Sequence, residues 1–355
     1  MTDQPLVSVV MAVCNAERYL TEAIQSIVDQ TFRNLELVVV DYGSTDHSIS
    51  IVSDCVSRDN RIRLLEIPPC VLPAARNAGC YRARGRYIAI MDADDIALRD
   101  RLDREVAYME AHPQAALLGG GVEFVDSLGK SLLTHRHPTD DREIRRELLT
   151  HSVFWHPTII MRREAFVAVG GYRPVFVCAH DYDLAVRIAE QYECANLDEV
   201  VLRYRFHAGQ LSTEKQRLQT LCVLATRASA AARRNGQSDP LDTIPEITPL
   251  TLAALGVGQL EQRNAVIANA RVWVFLLIRA GEYPAASAVA RRTLQSNLDQ
   301  VDRLQVSELY LSLAFISLKG GRLWEWIIAL SQAVRARPVL VGRPLKPLLR
   351  KLGLV

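Results

Sequence analysis

The stretch YIAIMDADDIALRDRL (87–102) runs an apolar segment into three acids, Asp92, Asp94 and Asp95. Like charges side by side raise one another's pKa and oppose folding unless something positive arrives. The tip is therefore either a solvated turn or the seat of a cation. An Asp-x-Asp pair suits Mg²⁺ or Mn²⁺, hard ions that take one or two carboxylates and complete their shell with phosphate oxygens. An ion held there could neutralise a departing diphosphate. Asp pairs are common in turns, but loops at strand ends are where functional groups concentrate.

Three further segments carry chemistry-bearing side chains. In VVVDYGSTDHS (38–48), Asp41 at a strand end could hold a ribose or a base, while Ser44, Thr45 or Asp46 could simply cap the following helix. In HDYD (180–183), Asp181 at a helix start could act as a general base beside a substrate, or Asp181 and Asp183 could serve only the helix dipole. In YRFHAGQLS (204–212), His207 follows a strand and is either structural or a ligand for metal or phosphate.

The elements that must position these groups alternate between strand and helix. Strands are expected at 6–13, 35–41, 62–67 and 86–92, the first being a continuous apolar run of the kind buried on both faces. Helices are expected around Leu20–Val28, through Ile51, Val52 and Val56, and over Ala74–Arg84, closed by Gly85. Such alternation implies a mostly parallel sheet flanked by helices, with ligands outside the carboxyl ends of its strands. Further on, the pattern predicts a helix near 100–111, a strand over 115–126 with a turn at Ser127–Lys130, a strand running into a helix over 155–166, a helix over 180–190 and a strand over 200–207. Beyond about Ser212 the pattern is helical, interrupted by RNGQSDPLDTIPEITP (234–249). IRAGEYPAASAVARRTL and LKGGRLWEWIIALSQAV resemble each other at a spacing of about 40 residues, as helix-pair repeats do. The expected organisation is a domain at 1–212, a connecting helix and linker at 213–249, and an all-α C-terminal domain at 250–355.

The 355 residues carry a net charge of +2, too small to argue for nucleic acid. Seven scattered cysteines without a C-x-x-C argue for thiols in a reducing compartment and against a zinc site. No leader or membrane-spanning run is evident, so the expected location is the cytoplasm. The end of the chain, RLWEWIIALSQAVRARPVLVGRPLKPLLRKLG (322–353), joins Leu323, Trp324, Trp326, Ile327 and Leu330 to Arg335, Arg337, Arg343, Lys346, Arg350 and Lys351. It is either a helical domain packing its own apolar face or a peripheral contact to the cytoplasmic face of an anionic membrane. A nucleotidyltransferase would want a Gly-rich, basic phosphate loop where CNAERY stands, and a dinucleotide dehydrogenase would want G-x-G-x-x-G.

The order of the pieces is more specific than any one of them. VSVVMAVCNAERYLTEAIQSIVDQTFRNLELVVVDYGSTDHS, AARNAG, RYIAIMDADD, HPTIIMRREAFVAVGGY, HDYDLAVRIAE and YRFHAGQLS together resemble a family 2 glycosyltransferase of GT-A fold, over about residues 5 to 212. The resemblance implies metal-dependent, inverting, hexosyltransferase-type transfer from a nucleotide-diphosphate sugar to a saccharide or lipid-linked saccharide acceptor, in cell-envelope or exopolysaccharide assembly. It further implies that Asp94, with Asp92 and His207, holds Mg²⁺ or Mn²⁺, that Asp95 is the extra acid often following the motif, and that Asp181 is the base. Asn15, Glu17, Asp41, Tyr42, Arg76, Asn77, Asp92 and Asp94 would line the donor pocket. Some residues depart from the family pattern. Tyr42 stands where a second acid usually binds the base, so a UDP-sugar is a less secure expectation. His180 stands where Glu usually precedes the catalytic Asp, and Ala12 and Cys14 alter the pocket wall. Tyr42 and His180 also give some standing to an alternative, a catalytically inactive sugar-nucleotide-binding or scaffold protein using its helical tail for partner contacts.

Overall fold

The computed structural model describes residues 4–207, 215–296, 298 and 300–338. The chain divides into two compact units, Met1–Arg205 with Ser229–Asp239, and Phe206–Ala228 with Pro240–Val355.

In the first unit, β1 (Val7–Val13), α1 (Glu17–Val28), β2 (Leu35–Asp41), α2 (Ser48–Arg58), β3 (Ile62–Glu66), α3 (Leu72–Arg82) and β4 (Tyr87–Asp92) follow one another. β5 (Ile96–Ala97), α4 (Arg101–Ala111), β6 (Ala115–Val125), β7 (Ser131–His135), α5 (Asp141–Leu148), β8 (Ile160–Arg162), α6 (Arg163–Ala168), α7 (His180–Ala189) and β9 (Glu193–Arg205) complete it. The nine-stranded sheet has the order β3-β2-β1-β4-β8-β6-β9-β5, with β7 on β6. Every residue of β2 is buried, as expected for a strand covered on both faces.

The alternation expected from sequence holds through β4 and then breaks. β8 is only three residues long and lies antiparallel between β4 and β6, because His156–Thr158 forms a 3₁₀ turn immediately before it. The strand expected over 200–207 instead begins at Glu193, runs parallel to β6, and ends at Arg205, two residues short of His207. α5 was not anticipated, although Asp140 caps it by accepting from the Arg142 and Glu143 amides at 3.0 and 3.2 Å.

Strand register brings the acids together. Val13 of β1 pairs with Asp41 and Ala12 with Asp92, so both carboxylates stand at the carboxyl end of one parallel block, flanking the end of β1. Nearer the other end, Glu36 ties the block. Its side chain accepts from Ser8 Oγ at 2.6 Å, the Arg84 amide at 2.8 Å, Arg63 Nη1 at 2.7 Å and Arg84 Nε at 2.9 Å. One carboxylate thus links β1, β2, β3 and the turn into β4. On the same block, a Cβ on Gly79 of α3 would lie 2.6 Å from Val10 and 2.8 Å from Val40, so only glycine lets this helix sit so close to the sheet.

In the second unit, α8 (Gln216–Arg234) contributes its residues up to Ala228. There follow α9 (Pro249–Ala254), α10 (Gln259–Arg279), α11 (Tyr283–Leu294), α12 (Arg303–Lys319) and α13 (Leu323–Ala336). The two similar segments are the turns from α10 to α11 and from α12 to α13. Each ends its first helix with the same cap. The Glu282 amide donates to Leu277 O at 2.9 Å and that of Gly281 to Ile278 O at 3.1 Å. The Arg322 amide donates to Ser317 O at 2.9 Å and that of Gly321 to Leu318 O at 3.1 Å. Gly281 and Gly321, at φ 79° and 68°, supply the left-handed residue this cap requires. Among the described residues no helix is long and apolar enough to cross a membrane. Arg343, Lys346, Arg350 and Lys351 of the basic tail lie outside the described residues.

Burial alone would raise the pKa of Glu36, but the hydrogen bonds from Ser8, the Arg84 amide, Arg63 and Arg84 outweigh it and hold the carboxyl low. Its stabilisation is present above the ordinary glutamate range and is lost as the pH falls through the depressed folded value. Glu36→Gln should therefore cost about 2 kcal/mol at neutral pH, read from urea unfolding, with a smaller loss of stability on acidification than in the wild type. An unchanged urea midpoint would contradict this account of Glu36.

Candidate active site

Asp92 ends β4, and Arg76 of α3 answers it: Nη2 lies 2.7 Å from Asp92 Oδ1. Arg76 is only 6% exposed. Burial alone would lower its pKa, but Asp92, Tyr172 and Asp181 outweigh that and hold the guanidinium above its usual range. Its Nη1 faces the ring nitrogens of His156. Burial, then Arg76 and His180, push His156 well below the usual imidazole range, so the ring is neutral and accepts from the guanidinium. The Tyr172 hydroxyl lies 2.8 Å from His156 Nε2.

The three acids of the tip differ in environment. Asp92 is raised by burial, lowered by Arg76, and raised again by Asp94 and Asp181. Asp95 is 1% exposed and accepts from the Arg205 amide at 2.8 Å. Burial, with Asp94 and Asp92, drives Asp95 well above the carboxylate range, and its Oδ2 has no hydrogen-bond partner. Asp94 stays half-buried, its carbonyl accepting from Arg205 Nε at 2.9 Å. The protein itself answers part of the charge at this tip. Arg76 pairs with Asp92, and Asp95 is held neutral as an anchor between β4 and β9.

The first turn of α7 sets its two acids in different environments. Asp183, fully buried, is held by Arg173 and by Arg187, the latter at 2.8 Å. Among the described residues Asp181 makes no ion pair. It is half-buried, raised by burial against the lowering influence of Arg76, and lines a small recess with Ser152, Phe154 and His156. Asp181 raises Asp92, and Arg76 lowers both carboxyls. Beside Asp181, His180 packs edge-on against His156 and Tyr172, at ring separations of 5.6 and 5.5 Å.

At the same carboxyl edge, across the end of β1, Asp41 turns Oδ1 onto the Gly43 and Ser44 amides, at 3.0 and 3.1 Å, and leaves Oδ2 without a donor. Tyr42 is half-buried against Val38, Val40 and Ala75. Burial, with Cys14 and Asp92 adding and Arg76 opposing, pushes its hydroxyl up to about 12, so it remains a neutral phenol. Asn15 and Glu17 have their polar atoms engaged in loop ties. Asn15 Oδ1 accepts from the Thr45 amide at 2.8 Å, and Glu17 from the His47 amide at 3.0 Å and Nδ1 at 2.7 Å. Asn77 holds Tyr172 by both backbone groups, at 2.7 and 2.9 Å. His207 is half-buried just past β9, and Ala208–Ser212 of its motif lie outside the described residues.

Among the described residues no three His, Cys, Asp or Glu side chains gather as a metal cage. The donor set nevertheless fits a hard ion. Asp92 and Asp94 supply carboxylate oxygens at a strand end, and the surplus negative charge that raises Asp92 would fall if a cation bound. Sequence reasoning missed His156, Tyr172 and Tyr204. All three fall within motifs that carry the resemblance without being singled out there, and no spacing rule links His156 and Tyr172 to Arg76. Tyr204 is pushed well above the phenol range by burial and then by Asp95, Asp94, Asp92 and Asp181, which puts its hydroxyl within the field of every acid of the site.

A mixed sheet whose parallel block carries paired acids at its carboxyl edge, flanked by helices and followed by a helical region, is the architecture of a transferase of GT-A type. The sequence profile described as Glycosyl transferase family 2 matches residues 8–170. An uncharacterized glycosyltransferase of Methanocaldococcus jannaschii is 33% identical over 232 residues, covering 63% of this chain and 80% of its own. The amylovoran biosynthesis glycosyltransferase AmsE of Erwinia amylovora is 30% identical over 216 residues, covering 59% and 79%. Among solved structures, the mannosyltransferase PcManGT of Pyrobaculum calidifontis, in complex with GDP-Man and Mn²⁺, superposes with a TM-score of 0.50 at 20% identity, covering 94% of this chain and 87% of its own. That likeness bears on the fold. The chain belongs to glycosyl transferase family 2 and is a glycosyltransferase.

Because Arg76 lowers both Asp92 and Asp181, Arg76→Gln should move the titration midpoints of both carboxyls upward. Carboxyl NMR of the purified chain would read this. Midpoints that stay in place would contradict a shared guanidinium.

Proposed function

We propose that the chain transfers a sugar, with inversion, from a nucleotide-diphosphate sugar to an acceptor hydroxyl, and that it acts in cell-envelope or exopolysaccharide assembly. The observation that carries this reading is Asp181, the first-turn acid without an ion pair, raised by burial and coupled through Arg76 to Asp92. A sugar hydroxyl is a poor nucleophile until a carboxylate takes its proton, and a carboxylate raised toward neutrality is a better base. Asp181 takes that proton as the acceptor oxygen attacks the anomeric carbon, and displacement from the face opposite the diphosphate inverts the centre.

Asp92 and Asp94, with His207, would hold Mg²⁺ or Mn²⁺, and such an ion would supply neutralisation of charge on the diphosphate. A neighbour of the same fold carries GDP-Man and Mn²⁺. Arg76 keeps Asp92 ionised and ready to coordinate. Asp41 offers Oδ2 to a donor on the nucleotide, and Tyr42 closes the base end as a neutral phenol. Asn15, Glu17 and Asn77 position the loops and wall that shape the donor pocket. The place in polysaccharide assembly rests on relatives such as the amylovoran enzyme. An acceptor on a lipid carrier suits the exposed apolar side chains of α13, Leu323, Trp324, Ile327 and Ile328, at the cytoplasmic face of a membrane.

Asp181→Asn should lower the rate of sugar transfer about a hundred- to ten-thousandfold, with little change in the donor KM. Asp94→Ala should abolish the Mn²⁺-dependent rise in melting temperature given by the preferred nucleotide-sugar. Activity retained in Asp181→Asn would overturn the assignment of the base. Wild-type protein that responds to no nucleotide-sugar and hydrolyses none would leave the inactive, partner-binding reading in its place. For the membrane contact, wild-type chain should float with anionic liposomes, and a Trp324→Glu, Ile328→Glu double variant should not. A wild-type chain that stays at the bottom of the gradient would remove it.

A further inference from the structure

Beside the acids lies an aromatic cluster that the transfer chemistry does not use. Trp155 is its centre. Its ring stands 5.1 Å from Phe124, 5.7 Å from Tyr204, 5.4 Å from His135 and 5.3 Å from His137, centroid to centroid. His135 and His137 meet edge-on at 4.7 Å. Trp155 Nε1 donates to His135 Nδ1 at 3.3 Å, which fixes the indole plane. Phe124 is buried beneath, whereas Trp155, His137 and Tyr204 are half-buried and His135 is exposed.

Two features join this cluster to the reacting centre. Trp155 directly precedes His156, which touches Arg76, and Ser152 and Phe154 line the recess with Asp181. Tyr204 gives its ring to the cluster while its hydroxyl lies within the field of Asp92, Asp94, Asp95 and Asp181. The platform is also uncharged. Burial, with His135 and His151, holds His137 at about 3, and burial lowers His135, so neither ring attracts the diphosphate at neutral pH. Half-buried aromatic side chains with polar edges match a pyranose, one face of which is apolar C–H and whose rim is hydroxyl.

Resting on the function proposed above, we propose that Trp155, His137 and Tyr204 form a stacking platform for a pyranose of the acceptor saccharide, next to Asp181. The platform holds the sugar whose hydroxyl Asp181 deprotonates.

Saturation-transfer NMR on the full chain with Mg²⁺, using the methyl glycosides of glucose, galactose, mannose and N-acetylglucosamine as probes, tests this directly. At least one glycoside should receive saturation at its ring C–H protons. Trp155→Leu should weaken that binding about tenfold and Trp155→Phe by less than about threefold, the difference a stacked ring makes. Melting curves check that both variants fold. UDP and GDP in the same wild-type samples keep the two readings apart. Nucleotide binding without glycoside saturation, glycoside binding undiminished in Trp155→Leu, or displacement of the glycoside by nucleotide overturns the platform. A wild type that binds neither glycoside nor nucleotide overturns the proposed function with it.

Discussion

The site depends on one buried cation. Arg76 cannot shed its proton within a protein, so a fold that encloses it must supply negative charge or lose stability. Asp92 is the contact that answers it, at 2.7 Å, and Asp181 contributes through the field. Leaving the guanidinium unpaired would cost on the order of 3–5 kcal/mol. This requirement draws α3, the end of β4 and the start of α7 to one point. It also explains how an acidic tip is tolerated: one acid is paired, one is held neutral, and Asp94 is left half-buried between them. The neutral His156, accepting from the far side of Arg76, completes the enclosure without adding charge.

Strand register does the rest of the positioning. Parallel pairing sets Asp41 and Asp92 on either side of the end of β1, and the Glu36 tie at the opposite end holds that alignment. The sheet is thus a ruler whose carboxyl edge carries the chemistry, as in other open sheets of this kind. Asp181, the proposed base, enters from α7, beyond β8, where the strand–helix alternation has already ended.

Much of this was legible in the sequence because it depends on local order. The first four strands and the helices between them follow from apolar periodicity. The Asp-x-Asp pair and HDYD stood out as acids at element ends. The short antiparallel β8 was hidden because its apolar residues are too few to show a period, and the 3₁₀ turn before it has no strong signal. β9 was cut short because Glu193–Glu199 alternates poorly. The resemblance pointed to Asp181 rather than Asp183, but the physical difference between them was not legible: it is made by Arg173 and Arg187, which hold Asp183. Likewise, no spacing rule could foresee that Arg76 would meet His156, or that Trp155, His135, His137 and Tyr204 would converge, since these meetings are made by the sheet.

The most direct measurement is the anomalous signal of Mn²⁺ in crystals of the full chain grown with a non-hydrolysable nucleotide-sugar. The account predicts the ion beside Asp94 and Asp92, Arg76 still bridging to Asp92, and the anomeric carbon lying between the ion and Asp181. An ion bound elsewhere, or a sugar turned away from Asp181 while Asp92 and Asp94 stay bare, would contradict it.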